Sequence, residues 1–308
     1  MSAPHVAILM AVRNGARHLP AQLDSIAGQE HTNWTLIVSD DGSRDGSSEI
    51  ISGFAQRGHR VICLDGPQQG AGANFLSLVR RMQGHVPATS WLAFADQDDV
   101  WLPDRLSRGI AALEGIAGPA LYCSRTWITD ERLEHRRISL PRPRPLGFRN
   151  ALVQNVAAGN TILLNPAGAR LASAAAPEAG RVIMHDWWIY QLMSGAGAQL
   201  VHDDRPSLLY RQHAGNEIGA NDGAGAKLSR LGQLLAGHYR QWNGVNVVAL
   251  SASAHRLTPE NRALLAGFAA VRCAPFWRRP GALWRLGLYR QSPASTAVLW
   301  LAAMLGRL

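Results

Sequence analysis

The sequence predicts an α/β fold, a mostly parallel sheet flanked by helices and followed by a helical tail. Over its first hundred residues, short apolar runs alternate with segments of helical periodicity, the pattern of strands joined by crossover helices. Three of those runs stop abruptly in polar loops: Arg13-Asn14-Gly15, Asp40-Asp41-Gly42-Ser43 and Asp96-Gln97-Asp98-Asp99. From residue 224 onward, apolar residues recur at helical spacing and basic residues dominate.

Residues 5–12 (HVAILMAV) form the first strand, and 19–26 a helix with Leu19, Leu23 and Ile26 on one face. Strands follow at 34–39 and 60–64, separated by a helix over 46–56. A loop rich in Gly and Gln (67–73) leads to a helix at 74–82 and a fourth strand at 91–95. Beyond it, 120–128 reads as a fifth strand and Arg142-Pro-Arg-Pro145 as a stiff, extended loop. Residues 160–164 then read as a strand, 166–175 and 185–193 as helices, and 208–210 as a last strand.

The chain has 308 residues with 47% hydrophobic content, enough for one large domain or one and a half. Residues 1–12 lack the basic start and small-residue cleavage site of a leader, and no run of eighteen apolar residues occurs. Cys63, Cys123 and Cys273 are widely spaced and odd in number. The first two fall in strands and read as buried thiols of a reducing compartment, which places the protein in the cytoplasm. Eleven of the 31 basic residues but only one acid, Glu260, lie in residues 224–308, a net charge of +10. The rest of the chain is near neutral, with twenty bases and twenty-one acids. Such asymmetry points to an anionic partner surface.

Three carboxylates within four positions at a strand end repel one another unless a cation sits among them. A divalent metal resolves this, because hard cations take oxygen ligands and bridge to phosphate oxygens. The ordinary alternative is a solvated turn capping a helix that opens near Pro103. In open α/β sheets ligands gather at the carboxyl ends of strands, where the strand order reverses. With the first strand between the second and fourth, the three polar loops form one nucleotide-sized pocket. Phosphate-binding glycine motifs are absent, and Lys227 is the only lysine, so lysine-assisted kinase or ATPase chemistry is not expected.

The runs VAILMAVRNG, LIVSDDGSRDGS and FADQDDVWLPDRL, with His185-Asp186-Trp187-Trp188 and Tyr210-Arg211-Gln212-His213, resemble family 2 glycosyltransferases of GT-A fold, over about residues 5–216. The DQDDVW, HDWW and YRQH variants are most similar to the bacterial rhamnosyltransferase-like branch, and Gly287-Leu-Tyr-Arg-Gln291 adds to that likeness.

The resemblance implies a nucleotide-sugar and acceptor domain over residues 1–223, and an inverting sugar transfer that uses magnesium or manganese. Val12, Arg13, Asn14, Asp40, Asp41 and Asp96 then bind the nucleotide, Asp98 and Asp99 ligate the metal, and Arg211 and His213 meet the diphosphate and metal. An arginine fork suits a diphosphate and an imidazole suits a transition metal, whereas isolated basic residues in loops are usually just solvated. Gly159 and Asn160 become acceptor or sugar contacts, with a tight turn as the ordinary alternative. Asp186 is the general base, although an acid there also caps a helix N-terminus. His185, Trp187 and Trp188 are expected beside the acceptor, the tryptophans offering flat faces to sugar rings. By resemblance the donor is dTDP-rhamnose first and a UDP-hexose second. Residues 216–225 read as a glycine-rich lid.

The tail mixes aromatics with arginines (Phe276-Trp277-Arg278-Arg279, Trp284-Arg285), and residues 294–305 are almost wholly apolar. This fits an in-plane contact with an anionic membrane, which would place the protein on the inner face of the cell membrane and favour a lipid-linked or polysaccharide acceptor. The alternatives are helices packed on the sheet or a homodimer interface. Nucleic acid is not expected, because no recognition motif accompanies the charge. Two rival functions remain. A haloacid dehalogenase-like phosphatase would share the D-x-D-x-[TV] pattern at Asp96–Val100, but not its place after a first strand or a later lysine in the body. A scaffold that keeps the fold without turnover is the other.

Overall fold

The computed structural model describes residues 3–213 and 238–308. The elements run β1 (Val6–Val12), α1 (Leu19–Ala27), β2 (Trp34–Asp40), α2 (Ser47–Gln56), β3 (Val61–Asp65), α3 (Ala71–Arg81) and β4 (Trp91–Ala95). Next come β5 (Val100–Trp101), α4 (Arg105–Leu113), β6 (Ala120–Thr129), β7 (Arg137–Ile138), α5 (Phe148–Ala151) and β8 (Leu163–Leu164). They are followed by α6 (Pro166–Ala175), α7 (His185–Gly195) and β9 (Gln199–Arg211). The tail holds α8 (His238–Ala252), α9 (Pro259–Cys273), α10 (Arg279–Leu286) and α11 (Pro293–Met304).

One sheet carries the order β3-β2-β1-β4-β8-β6-β9-β5, with β7 paired to β6. The first four strands are parallel, β8 is antiparallel to both neighbours, and β9 is parallel to β6. β1 therefore lies between β2 and β4, the order that brings the three polar loops together. Side chains alternate across a strand, and both faces here are covered. Ala7, Leu9 and Phe94 pack with Phe75, Ala172 and Trp188 of α3, α6 and α7. On the other face Val6, Ile8 and Met10 pack with Leu23, Phe54 and Leu106 of α1, α2 and α4. This two-sided burial explains why β1 and β4 read as unbroken apolar runs. A third cluster joins Phe268, Leu283 and Leu299 of the tail to Phe148, Leu152 and Val153.

Several expectations are corrected. Residues 159–161 form a 3-10 turn, which leaves only Leu163–Leu164 as strand. β9 spans 13 residues rather than three, paired along β6 through a register shift near Arg125. Helical spacing that runs on from 281 to 305 is broken into two helices, because Gly287 takes a left-handed φ of 62° and Ser292 caps a new start with Pro293 following. Cys123 is buried as expected, but Cys63 is exposed, since β3 is an edge strand. The expected lid at 216–225, Lys227 and the start of the helical spacing at 224 lie outside the described residues.

Candidate active site

The loops at the carboxyl ends of β1, β2 and β4 are tied by hydrogen bonds into one cup. The Gln97 side chain spans two of them, accepting from the Arg13 amide at 2.9 Å and donating to the Arg13 carbonyl at 3.1 Å. Asn14, at a φ of 49° that asparagine tolerates, accepts from the Arg44 amide at 2.9 Å, and its own amide donates to Ser43 Oγ at 2.9 Å. Ser47 Oγ accepts from the Gly15 amide at 2.9 Å. The Val12 side chain is core, and its carbonyl accepts from the Asp41 amide at 2.8 Å.

The two acids after β2 do different work. Asp40 accepts from the Ser43 amide and hydroxyl at 2.8 and 2.6 Å and from Ser48 Oγ at 2.8 Å. Partial burial acts to raise its proton affinity, but these donors outweigh it and hold the carboxyl below the usual range. Asp41 is buried and accepts from the Gln68 and Gly70 amides at 2.5 and 3.1 Å. Here Asp41 pins the loop between β3 and α3, so the direct contact with a base expected from the sequence is not offered by this geometry.

At the end of β4 the acids share one crowded corner. Asp99 is fully buried, accepting from Asn160 Nδ2 at 2.5 Å and from the Arg211 amide at 3.3 Å. Burial, followed by the nearby charges of Asp96 and Asp98, pushes its carboxyl well above the usual range. Asp98 faces His213, with Oδ2 and Nε2 2.8 Å apart, and the His18 ring lies 4.9 Å from that of His213. The Arg211 guanidinium is buried and donates to the carbonyls of Asp98 and Glu131, at 2.8 and 2.5 Å. Arg211 thus clamps the acid loop where a diphosphate contact was expected. Of the three expected metal ligands, Asp98 and His213 meet, whereas Asp99 is fully buried against Asn160 and the Arg211 amide. The carboxylate and imidazole donors of Asp98 and His213, beside Asp96 in a negative field, suit a divalent metal such as magnesium or manganese. Asp130, Glu134 and His135 also come close enough together to hold an ion, on a largely exposed turn that meets the cup through the Arg211–Glu131 bond.

Asp186 opens α7. Its Oδ2 accepts from the Gly159 amide at 3.0 Å, and its Oδ1 from the Trp187 amide at 2.7 Å. Gly159 and Asn160 therefore link the two acidic centres directly: one residue bonds Asp186, the next bonds Asp99. Both are buried, which makes them connectors rather than sugar contacts. Gly159 has to be glycine, because a Cβ there would lie 2.6 Å from His185 Nε2 and 3.2 Å from Asp186 Cβ. His185 is itself buried, stacked on Phe75 at 3.8 Å, and burial lowers its pKa to about 4, so it is neutral. Trp187 and Trp188 are core residues, 2% and 1% exposed, with Trp187 Nε1 donating to the Ala151 carbonyl at 2.7 Å. Neither offers a face to a sugar, because α7 is covered on both sides by α5, α6 and the sheet.

The sequence reading missed Arg105. It is buried, stacked over Trp101 at 3.6 Å, and donates to the Asn160 carbonyl at 2.6 Å and that of Phe94 at 3.2 Å. Burial lowers its pKa to about 9, while the charges of Asp99 and Asp96 act to hold its proton. A fixed cation thus stands behind the acid cluster. Its only signal was a basic residue six positions after Asp99. Gln97 was similarly overlooked among its acidic neighbours.

The sequence profile of glycosyl transferase family 2 matches residues 7–166, which hold β1 through the Gly159–Asn160 link. The chain belongs to this family. A similar curated protein is the dTDP-rhamnosyl transferase RfbG of Shigella flexneri, 25% identical over 257 residues, covering 75% of this chain and 81% of that one. The UDP-Glc:alpha-D-GlcNAc-diphosphoundecaprenol beta-1,3-glucosyltransferase WfgD of Escherichia coli is 26% identical over 35% of this chain and 40% of its own length. Among solved structures, S. aureus TarS 1-349 in complex with UDP-GlcNAc aligns with a TM-score of 0.54 at 11% identity, covering 93% of each chain. The mannosyltransferase PcManGT of Pyrobaculum calidifontis, in complex with GDP-Man and Mn2+, aligns at 0.51 and 14% identity, covering 100% of this chain and 86% of that one. These likenesses establish the GT-A fold, and family membership makes the protein a glycosyltransferase.

Proposed function

We propose that the protein is an inverting, metal-dependent transferase that moves rhamnose from dTDP-rhamnose to a hydroxyl of a lipid-linked or polysaccharide acceptor, at the cytoplasmic face of the cell membrane. A UDP-hexose is the second donor choice. The observation that carries the reading is the Gly159–Asn160 link, which holds a carboxylate at a helix N-terminus one residue step from the acid cluster. The name of the Shigella relative supports the donor, and that of the Escherichia relative supports a lipid-diphosphate acceptor.

In this mechanism Asp186 receives the proton of the acceptor hydroxyl as its oxygen bonds to the anomeric carbon. The bond from that carbon to the diphosphate breaks on the opposite face, and the diphosphate leaves with the electron pair. Each Asp186 oxygen accepts one backbone bond and keeps a lone pair for that proton. Neutral His185 packs behind it and adds no competing charge. Asp98 and His213, with Asp96, would hold the metal, which when bound neutralises charge on the departing diphosphate. Asp40, Asp41 and Gln97 hold the loops that Arg13 and Asn14 present to the nucleotide.

Calorimetry with dTDP, UDP, GDP and CDP, in manganese and then in chelator, tests this. The expected result is selective, metal-dependent binding of one diphosphate, at least tenfold weaker in Asp98→Ala. Binding of none of the four by folded protein would overturn the reading and favour a non-catalytic scaffold.

A further inference from the structure

We propose that the C-terminal module docks in the plane of an anionic lipid surface through the 276–278 turn, α10 and α11. Ten large apolar side chains are exposed among the described residues, and seven of them fall between 276 and 305. Trp284 is 76% exposed, Trp277 67% and Phe276 62%. Beyond Pro293 at its start, the exposed residues of α11 and its C-cap, Ala294, Ala297, Val298, Leu301, Met304 and Leu305, are all apolar. At 100° per residue they cover about a third of the helix circumference. Leu299, Ala302 and Ala303 face inward and are buried. A helix that is apolar all round is ordinarily enclosed, whereas this one leaves a whole stripe open.

The three elements are packed together. The Trp284 and Trp300 rings meet edge-on at 6.2 Å, and Arg279 donates to the Ala303 carbonyl at 2.8 Å. Residues 274–308 carry five arginines (Arg278, Arg279, Arg285, Arg290 and Arg307) and no acidic side chain. This charge selects the occupant. A second copy meeting the face across a two-fold axis would set arginines against arginines with no carboxylate between them. A phosphate backbone would answer the arginines but leave the large apolar side chains in water. An anionic bilayer answers both, taking tryptophans and arginines at the headgroups and aliphatic side chains just below. α11 has twelve residues, about 18 Å of helix, well short of the roughly 30 Å hydrocarbon core, so it lies along the surface. No described helix is long and apolar enough to cross a membrane.

The module is tied to the catalytic helix through α5. Asn150 Nδ2 donates to the Tyr289 carbonyl at 3.0 Å, and the Ala151 carbonyl accepts from Trp187 of α7. The lipid contact itself does not depend on the transferase reading, and its test does not use activity. Full-length protein is floated with phosphatidylcholine vesicles that contain or lack phosphatidylglycerol. Flotation with the anionic vesicles is expected, at least tenfold weaker without phosphatidylglycerol or in high salt. Trp277→Ala/Trp284→Ala and Leu301→Glu/Leu305→Glu should each lose at least tenfold, with circular dichroism and melting unchanged. Absence of wild-type flotation, or flotation of both double variants at the wild-type level, would overturn the proposal. So would a wild-type dimer in light scattering that Leu301→Glu/Leu305→Glu dissolves, because the face would then belong to a second copy.

Discussion

The cup at the carboxyl end of the sheet and the C-terminal module handle charge in opposite ways. In the cup, carboxylates and cations are answered within the protein: Asp98 by His213, Asp99 by Asn160 and the Arg211 amide, and Arg105 by two carbonyls. In the module, Arg278, Arg285 and Arg307 are exposed, with no acidic side chain in residues 274–308, beside exposed tryptophans and leucines. Internal pairing in a partly dry site fixes geometry, as a displacement reaction needs. Unanswered charge beside exposed apolar surface suits contact with another phase. Glu178 marks the seam between the two regions. It accepts from Arg256 at 2.6 Å and from Ser253 Oγ at 2.6 Å, and so binds the tail to the end of α6.

The comparison is sharpened most by Asp186→Asn. With the base removed and one of its two backbone bonds kept, kcat should fall by about 10³-fold, while nucleotide affinity stays within a factor of two or so; initial-rate kinetics and calorimetry read the two separately. Wild-type turnover would remove Asp186 from the chemistry. Arg105→Ala should cost about 3–5 kcal/mol of stability, measured by denaturant unfolding, because the acid cluster loses a buried cation.

A pH titration probes the same interior. His185 has a folded pKa of about 4 against 6.5 for the free side chain, so the unfolded chain binds more protons between those values. Its contribution is complete above pH 6.5 and is lost as pH falls toward 4, a change of roughly 3 kcal/mol that His185→Phe should flatten. The smallest effect is expected at the seam. Glu178→Gln should loosen the tail by about 1–2 kcal/mol, read as faster amide exchange in α8 and α9 with exchange in β1 and β4 unchanged. Arg256 and Ser253 hold the Glu178 carboxyl down to about 2, so in the wild type this stabilisation is present above about pH 4.5 and lost as pH falls toward 2.

Much of the cup was legible in the sequence. β1, β2 and β4 appeared as apolar runs with polar stops, and two-sided burial is what makes such runs continuous. The expected convergence of the three loops follows from β1 lying between β2 and β4. Roles within the loops were far less legible. Asp40 and Asp41 are adjacent and identical, yet one faces Ser43 and Ser48 while the other is buried against Gln68 and Gly70. Trp187 and Trp188 looked like sugar platforms because an aromatic beside an acid has the same composition in a core as in a site.

Local pattern thus determined the α/β class, the placement of acids at strand ends and the basic, apolar tail, because periodicity and turn chemistry act over a few residues. The break of the tail at Gly287 and Ser292 belongs to the same short range, though it is hidden under a continuous apolar pattern. Only the tertiary structure decided which carboxylates are consumed, that Gly159 and Asn160 connect Asp186 to Asp99, and that Arg105 stands behind them. The bonds responsible join residues 27, 61 and 55 positions apart, and burial sets their strength. Neither property exists until the sheet has closed.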